Sequence, residues 1–401
     1  MGSTHSSVMA NAGPADLDWP LTPGWIACAD ALGGVPTPAV VIDVDVIRRN
    51  IARAASLARG GGVALRPHVK THKSLRLAGM QSAMGAAGVT AAKPSEAEVF
   101  LRAGLASVTV AYPVLRPDAV RRLLAASAHG GGEVRFVVDS GPGLEVLADE
   151  ARRAGLVLPV LMEVDVGLRR CGVLPQTQAA TALAAALDRA PGLCFMGLLS
   201  HAGQAYGAAG PAEVRAIAAA ERGAMTSLAG HLRRLGVGVA DVSVGSTPTV
   251  FLNDGFEGIT EVRPGNYVFM DLIQVALGVA QPSEVALQVL ATVVSANASF
   301  AILDAGSKVL SSDRAPHGAE TVQGHGLVVA GDGGAPWRVV RLSEEHGFVQ
   351  QNPARLLQIG ERVRVVPNHA CPVANLADSY LAVDETGALD HWPVDARGMV
   401  Q

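Results

Sequence analysis

The feature that most limits what this chain can fold into is a rhythm. From residue 63 onward a short apolar run, a turn and an Ala/Leu/Arg-rich segment follow one another repeatedly. The apolar runs predict strands at Val63–Pro67, Gly88–Ala92, Ser107–Tyr112, Val134–Asp139, Leu158–Asp165, Cys194–His201, Ala240–Gly245 and Ile259–Pro264. The intervening periodicity predicts helices at Ser74–Ala86, Ser95–Ala103, Pro117–Ser127, Gly143–Ala154, Thr177–Arg189 and near Ala212–Leu235. Strands alternating with helices mean parallel βαβ units, and eight of them suggest a closed (β/α)8 barrel. An earlier apolar run, at 38–43, stands outside this count and is free to pair elsewhere; a helix follows it from Val46 to about Ala58. After about residue 285 the rhythm changes. Strands are predicted at Val285–Val294, Ser299–Asp304, Gly326–Ala330, Trp337–Leu342, Arg362–Pro367 and Tyr380–Val383, with Gly, Pro and Asp turns and little helix. That is the pattern of a compact all-β domain, and residues 311–325 read as a loop.

In barrels of this kind chemistry sits at the carboxyl ends of the strands. The residues found there are Lys70, Lys93, Tyr112, Asp139, Asp165 with Arg170, His201, Gly245-Ser246-Thr247 and Gly265-Asn266-Tyr267. A polar residue at nearly every strand end tilts the reading towards an enzyme. Arg66, His68 and Lys70 would share one strand face. A Lys beside other cations loses its proton more easily and can attack a carbonyl, although a solvated basic strand end reads equally well. The two Gly-containing corners at consecutive late strands could cradle an anion with backbone N–H groups and hydroxyls. A phosphate anchor opposite a reactive Lys70 is what pyridoxal phosphate requires. Arg170 could face the pyridine nitrogen and keep it unprotonated, or be a surface arginine. His369 and Cys371, two apart after a strand, could bind a divalent ion, zinc being preferred by thiolate. A buried structural cysteine is the plainer alternative. His346 and His317 are further metal candidates, and Tyr206 is a further candidate for cofactor contact.

The composition is compatible with two globular domains. Apolar residues make up 49% of 401 residues, charged residues 17%, and the net charge is -4 without a basic tract. These values argue against long disorder and against nucleic-acid binding. Four scattered cysteines form no CxxC pair, which favours a reducing compartment. No apolar run reaches membrane-span length, and the first residues lack a signal-peptide core, so a soluble cytoplasmic protein is expected.

Taken together, RPHVKTHK at 66–73, EVDVGLRRCG at 163–172, HAG at 201–203, GSTPT at 245–249, RPGNYVFMD at 263–271, LDAGSK at 303–308, EEHG at 344–347 and PNHACP at 367–372 resemble one family. It is the fold-type III pyridoxal phosphate enzymes of the D-serine dehydratase and D-threonine aldolase group, related to alanine racemase. The resemblance runs over roughly residues 36–398. It implies a tail and lead-in at 1–35, a barrel over 36–285, and a β domain over 286–401 that carries the metal ligands and takes in the strand at 38–43. It further implies a homodimer with the active site at the barrel mouth against the β domain. Lys70 would be the Schiff-base lysine and Arg170 the partner of the ring nitrogen. Gly245, Ser246, Thr247, Gly265, Asn266 and Tyr267 would form the phosphate cup. His369 and Cys371 would hold Zn2+, or Mn2+, and His201 would lie near the substrate β-hydroxyl. The implied reaction is dehydration and deamination of D-serine first of all, or of D-threonine or 3-hydroxy-D-aspartate, to a 2-oxo acid and ammonia. The alternative is retro-aldol cleavage to glycine and an aldehyde. His-x-Cys and PGNY resemble the dehydratase branch. Racemisation would leave His-x-Cys unexplained, and a non-catalytic cofactor carrier would lack the second domain.

Overall fold

A computed structural model describes residues 13–315, 322–330 and 335–401. The chain divides into two compact units, one of residues 51–267 with 395–401, the other of the described residues up to 50 with 268–394.

The first strand of the chain, β1 (Ala39–Asp43), belongs to the second of these units. The first unit is the barrel. Its strands are β2 (Ala64–Leu65), β3 (Val89–Ala91), β4 (Ser107–Pro113), β5 (Glu133–Val138), β6 (Leu158–Val164), β7 (Leu193–Ser200), β8 (Asp241–Val244) and β9 (Glu261–Val262). All pair in parallel, in the order β2-β9-β8-β7-β6-β5-β4-β3. A parallel bridge between His68 and Thr90 closes the ring, with Thr90 N–H donating to Pro67 O at 2.7 Å. The expected (β/α)8 barrel is therefore present. Its helices start as their sequences dictate. Pro occupies a first-turn position in Pro94–Arg102, Pro117–Gly130, Gly141–Ala154 and Pro211–Arg234, where its missing N–H costs nothing.

The barrel interior is not the usual stack of branched aliphatics. Arg66, Arg135, Glu261, Arg263 and Ser243 are all buried. Arg66 Nε lies 2.6 Å from Glu261 Oε2, and Arg135 reaches the same oxygen at 3.3 Å and also pairs with Asp241. Ser243 donates to Glu261 Oε1 at 2.7 Å, and Arg263 donates to Ser243 Oγ and to Ser200 O. This corrects the expectation that Arg66, His68 and Lys70 share a strand face at a pocket mouth. The strand stops at Leu65. Arg66 is drawn inward by Glu261, and the backbone turns into a 3-10 helix at Val69–Thr71, so period-two alternation ends before Lys70.

The other unit is built on β10 (Leu287–Ala296), β11 (Phe300–Leu303), β12 (Gly326–Ala330), β13 (Trp337–Leu342), β14 (Gly347–Gln350), β15 (Arg362–Pro367), β16 (Ser379–Val383) and β17 (Leu389–Pro393). β10 pairs antiparallel with β11, with β15 and with β1. It can do so because it is ten residues long and its register shifts between Val293 and Ser295; a bulge of this kind bends a strand and redirects its pairing. The circuit β10-β11-β14-β13-β12-β15 closes into an antiparallel barrel, while β1, β16 and β17 extend the sheet from β10. β1 pairs in parallel with β16. The lead-in helices Pro23–Ala27 and Ala29–Gly33 cover this extension, packing Trp25, Cys28 and Leu32 on Val41, Leu290, Leu381 and Val383. β14 and β17 escaped the sequence reading. Both are short, and β17 carries Asp390, His391 and Pro393, which dilute its apolar alternation.

Candidate functional site

The main candidate residues fall into one cluster in the barrel unit and one in the β unit. In the barrel, Lys70 sits on the 3-10 turn Val69–Thr71, half-buried. The turn is seated against the second glycine corner. His68 N–H donates to Pro264 O at 2.9 Å, and a Cβ built on Gly265 would lie 3.1 Å from His68 Cβ, His68 O and Thr71 Oγ1. The first corner has Gly245 at φ +113°, where a side chain is strained and a Cβ would meet Val250 Cγ2 at 2.5 Å. Ser246 caps the short helix Thr247–Phe251. Tyr267 N–H donates to Thr247 Oγ1 at 3.2 Å, which ties the two corners together. His201 Nδ1 lies 3.3 Å from Gly245 O. Lys70, His201 and both corners are thus contiguous.

His68 marks the centre of this cluster. Burial first, then the charges of Lys70, His201, Arg263 and Arg170, holds its imidazole well below the ordinary range. Arg170 is exposed, at the end of an excursion in which Asp165 Oδ1 accepts the N–H groups of Gly167 and Arg169 at 2.9 and 3.0 Å. The chain then returns to pair Val173 with Val164. Tyr206 is buried in the turn Gly203–Gly207, and Asn266 is buried in the turn Asn266–Val268. Tyr267 is a core residue. Its ring lies 6.0 Å from that of Phe251, its hydroxyl accepts from Gln81 Nε2 at 3.0 Å, and burial raises its pKa. Its contribution to the corner is therefore backbone. Lys93 stands over the Tyr112 ring at 3.8 Å, and both line a separate cavity of about 500 Å³ with Arg116, Arg122 and Gln401.

The sequence reading missed Glu163. It is 5% exposed inside β6, and burial, with Asp139 adding to it and Arg170 opposing, raises its carboxyl to about 7. Ligand atoms of Glu163, Asp139 and Cys171 lie within 4.8 Å of one another, and the Arg170 charge acts on both Glu163 and Cys171. That guanidinium already supplies positive charge to the group. The available signal was an acid inside an otherwise apolar strand. Glu261, in β9, carries the same signal.

In the β unit, His369 caps the helix Ala370–Leu376, and Cys371 lies in its first turn. Ala370 N–H donates to Asp271 Oδ2 at 3.0 Å, and Asp271 Oδ1 accepts from Gln274 N–H at 3.1 Å. His369 Nδ1 lies 2.9 Å from Asp313 Oδ2. Burial lowers the His369 imidazole, but Cys371, Asp313 and Asp271 together bring it up to about 10. His346 is exposed before β14, and His317 lies outside the described residues.

Both donor sets fit the groups expected there. The two linked glycine corners admit no Cβ, carry the hydroxyls of Ser246 and Thr247, and meet the turn that bears Lys70, which suits a phosphate-bearing aldehyde. An imidazole and a thiol two residues apart suit a borderline-soft divalent ion.

Comparison with known proteins agrees with this architecture. Residues 42–272 match the alanine racemase N-terminal domain, and residues 286–383 match the putative serine dehydratase domain. The chain is 36% identical over 375 residues to D-threo-3-hydroxyaspartate dehydratase of Delftia sp. (strain HT23), covering 90% of this chain and 98% of that one. The solved structure of that dehydratase superposes with a TM-score of 0.84, at 35% identity and the same coverage. A cysteine-to-alanine variant of D-threo-3-hydroxyaspartate dehydratase in a metal-free form also gives 0.84, at 34% identity over 90% of this chain and 98% of that one. D-threonine aldolase of Arthrobacter sp. is 32% identical over 373 residues, covering 92% of this chain and 94% of that one. With both domain matches in sequence order and relatives aligned over nearly their full lengths, the chain belongs to the fold-type III pyridoxal phosphate family related to alanine racemase, in the group that carries a serine dehydratase domain after the barrel.

Proposed function

We propose that the protein is a lyase that uses pyridoxal phosphate and a divalent metal to dehydrate and deaminate D-3-hydroxy-α-amino acids: D-serine, D-threonine or 3-hydroxy-D-aspartate. The observation that carries this is the coexistence, in one chain, of a Lys70-bearing turn seated against one of two linked glycine corners and a His-x-Cys pair at a helix start. Bound pyridoxal phosphate supplies an electron sink at the substrate α-carbon. Lys70 anchors it and moves the α-proton. Gly245, Ser246, Thr247, Gly265, Asn266 and the Tyr267 backbone would hold the phosphate, Arg170 would pair with the ring nitrogen, and Tyr206 would contact the cofactor. A divalent ion supplies a Lewis acid for the β-oxygen. His369 and Cys371 hold it, zinc being favoured by the thiolate and manganese the alternative. His201 is placed to give or take the β-oxygen's proton.

Identity to a dehydratase and the cysteine in His-x-Cys support water loss. The 32% identity to a D-threonine aldolase supports the second reading, cleavage to glycine and an aldehyde by the same residues. None of the four cysteines forms a disulfide, which fits a cytoplasmic enzyme, and family resemblance supports a homodimer. Among the described residues no helix is long and apolar enough to cross a membrane.

The test is a product assay with D-serine, D-threonine and 3-hydroxy-D-aspartate. Keto acid and ammonia are expected. Glycine from D-threonine without ammonia would overturn the dehydratase reading in favour of the aldolase. Lys70→Ala should abolish the cofactor's near-visible absorbance. Chelation should abolish turnover, with Zn2+ or Mn2+ restoring it; an unchanged rate after chelation removes the metal from the reaction.

A further inference from the structure

The turn carrying His369 is held by a loop far away in sequence. The short helix Ser307–Leu310 ends at Ser311, which takes φ +62°. Ser311 Oγ then accepts the Asp313 N–H at 3.1 Å. The two carboxylate oxygens of Asp313 are divided. Oδ1 accepts the N–H of Ala315 at 3.2 Å, which fixes the side chain to its own loop, and Oδ2 faces His369 Nδ1 at 2.9 Å. The same two stretches are joined a second time, because Asn368 Nδ2 donates to Arg314 O at 3.1 Å and to Gly324 O at 2.9 Å.

A carboxylate only accepts, so the Nδ1–H donates and Nε2 is the nitrogen left to ligate a metal. We infer that Asp313 is the positioning residue of the His369–Cys371 metal pair: it holds the His369 ring in one orientation and one tautomer, with Nε2 presented to the ion. This rests on the proposed metal site. Orienting carboxylates of this kind raise the basicity of the ligand imidazole, and losing one typically weakens metal binding about 10–100-fold.

The test measures Zn2+ affinity of the cofactor-loaded enzyme by competition with a chromogenic chelator, in wild type, Asp313→Ala, Asp313→Asn and His369→Ala. Asp313→Ala is expected to bind Zn2+ about 10–100-fold more weakly. Asp313→Asn keeps an amide oxygen that can accept the Nδ1–H, so its affinity should fall between Asp313→Ala and wild type. That partial rescue distinguishes orientation from a general folding defect. Wild-type affinity in Asp313→Ala, with binding lost in His369→Ala, overturns the positioning role and leaves the ligand pair standing. Loss in Asp313→Asn as deep as in His369→Ala also overturns it, because Asp313 would then be a ligand itself. Wild-type affinity in His369→Ala sinks the metal reading beneath it.

Discussion

Replacing Glu261 by Gln probes the unusual polar interior of the barrel. Glu261 is 4% exposed and accepts from Arg66 at 2.6 Å, Arg135 at 3.3 Å and Ser243 at 2.7 Å. Arg135 keeps a second acid in Asp241, whereas Arg66 has Ser107 Oγ at 2.8 Å as its other side-chain partner. The substitution preserves volume and one acceptor oxygen but leaves the Arg66 guanidinium buried without its counter-charge. Breaking a buried pair by removing one partner costs about 3–5 kcal/mol. The retained acceptor places this case near about 3 kcal/mol, equivalent to a melting shift of about 6–12 °C in a unit of this size. The pH dependence is a second constraint. Burial by itself raises the Glu261 carboxyl, but Arg66 and Arg135 outweigh it and bring it below the ordinary value of 4.5. A folded pKa below the unfolded one gives stability that is present above the unfolded value and lost as pH falls through the folded one. Denaturant unfolding followed by circular dichroism should therefore show a gap between wild type and Glu261→Gln that is full at pH 7 and shrinks below about pH 4.5. A gap under about 1 kcal/mol at pH 7, the range of an exposed pair, refutes the reasoning, as does a gap that ignores acidification.

Two further outcomes follow from the barrel cluster. Glu163 is raised to about 7 by burial and Asp139, so its stabilising contribution is complete below the unfolded value and lost as pH rises through about 7. The cofactor-free wild type should lose about 3 kcal/mol relative to Glu163→Gln over that interval, measured by chemical denaturation at pH 5 and pH 8; parallel curves refute it. Gly245→Ala places a Cβ at φ +113° and 2.5 Å from Val250 Cγ2. It should cost about 1–3 kcal/mol and speed the loss of pyridoxal phosphate on dialysis; wild-type melting with wild-type cofactor retention would contradict the cradle.

The barrel was legible because its signal is local and repeated. Each strand is a short apolar run and each helix an Ala/Leu-rich segment opened by Pro or a polar cap, so eight units could be counted from the chain alone. Lys70, the glycine corners and His-x-Cys can be proposed as a site from the chain alone for the same reason, since each is a short motif of chemically versatile residues. Arg66 was misplaced because its motif continues past the point where the strand stops, and the choice between mouth and interior belongs to Glu261, 195 residues away. The closure of the β unit through a bulged β10 depends on pairings between distant strands, which leave no periodic mark. Asp313 and His369 meet across 56 residues. Local pattern determined where the strands, helices and short polar motifs fall, whereas burial and counter-charge, which need distant segments brought within a few ångströms, decided which polar residues stand inside the barrel.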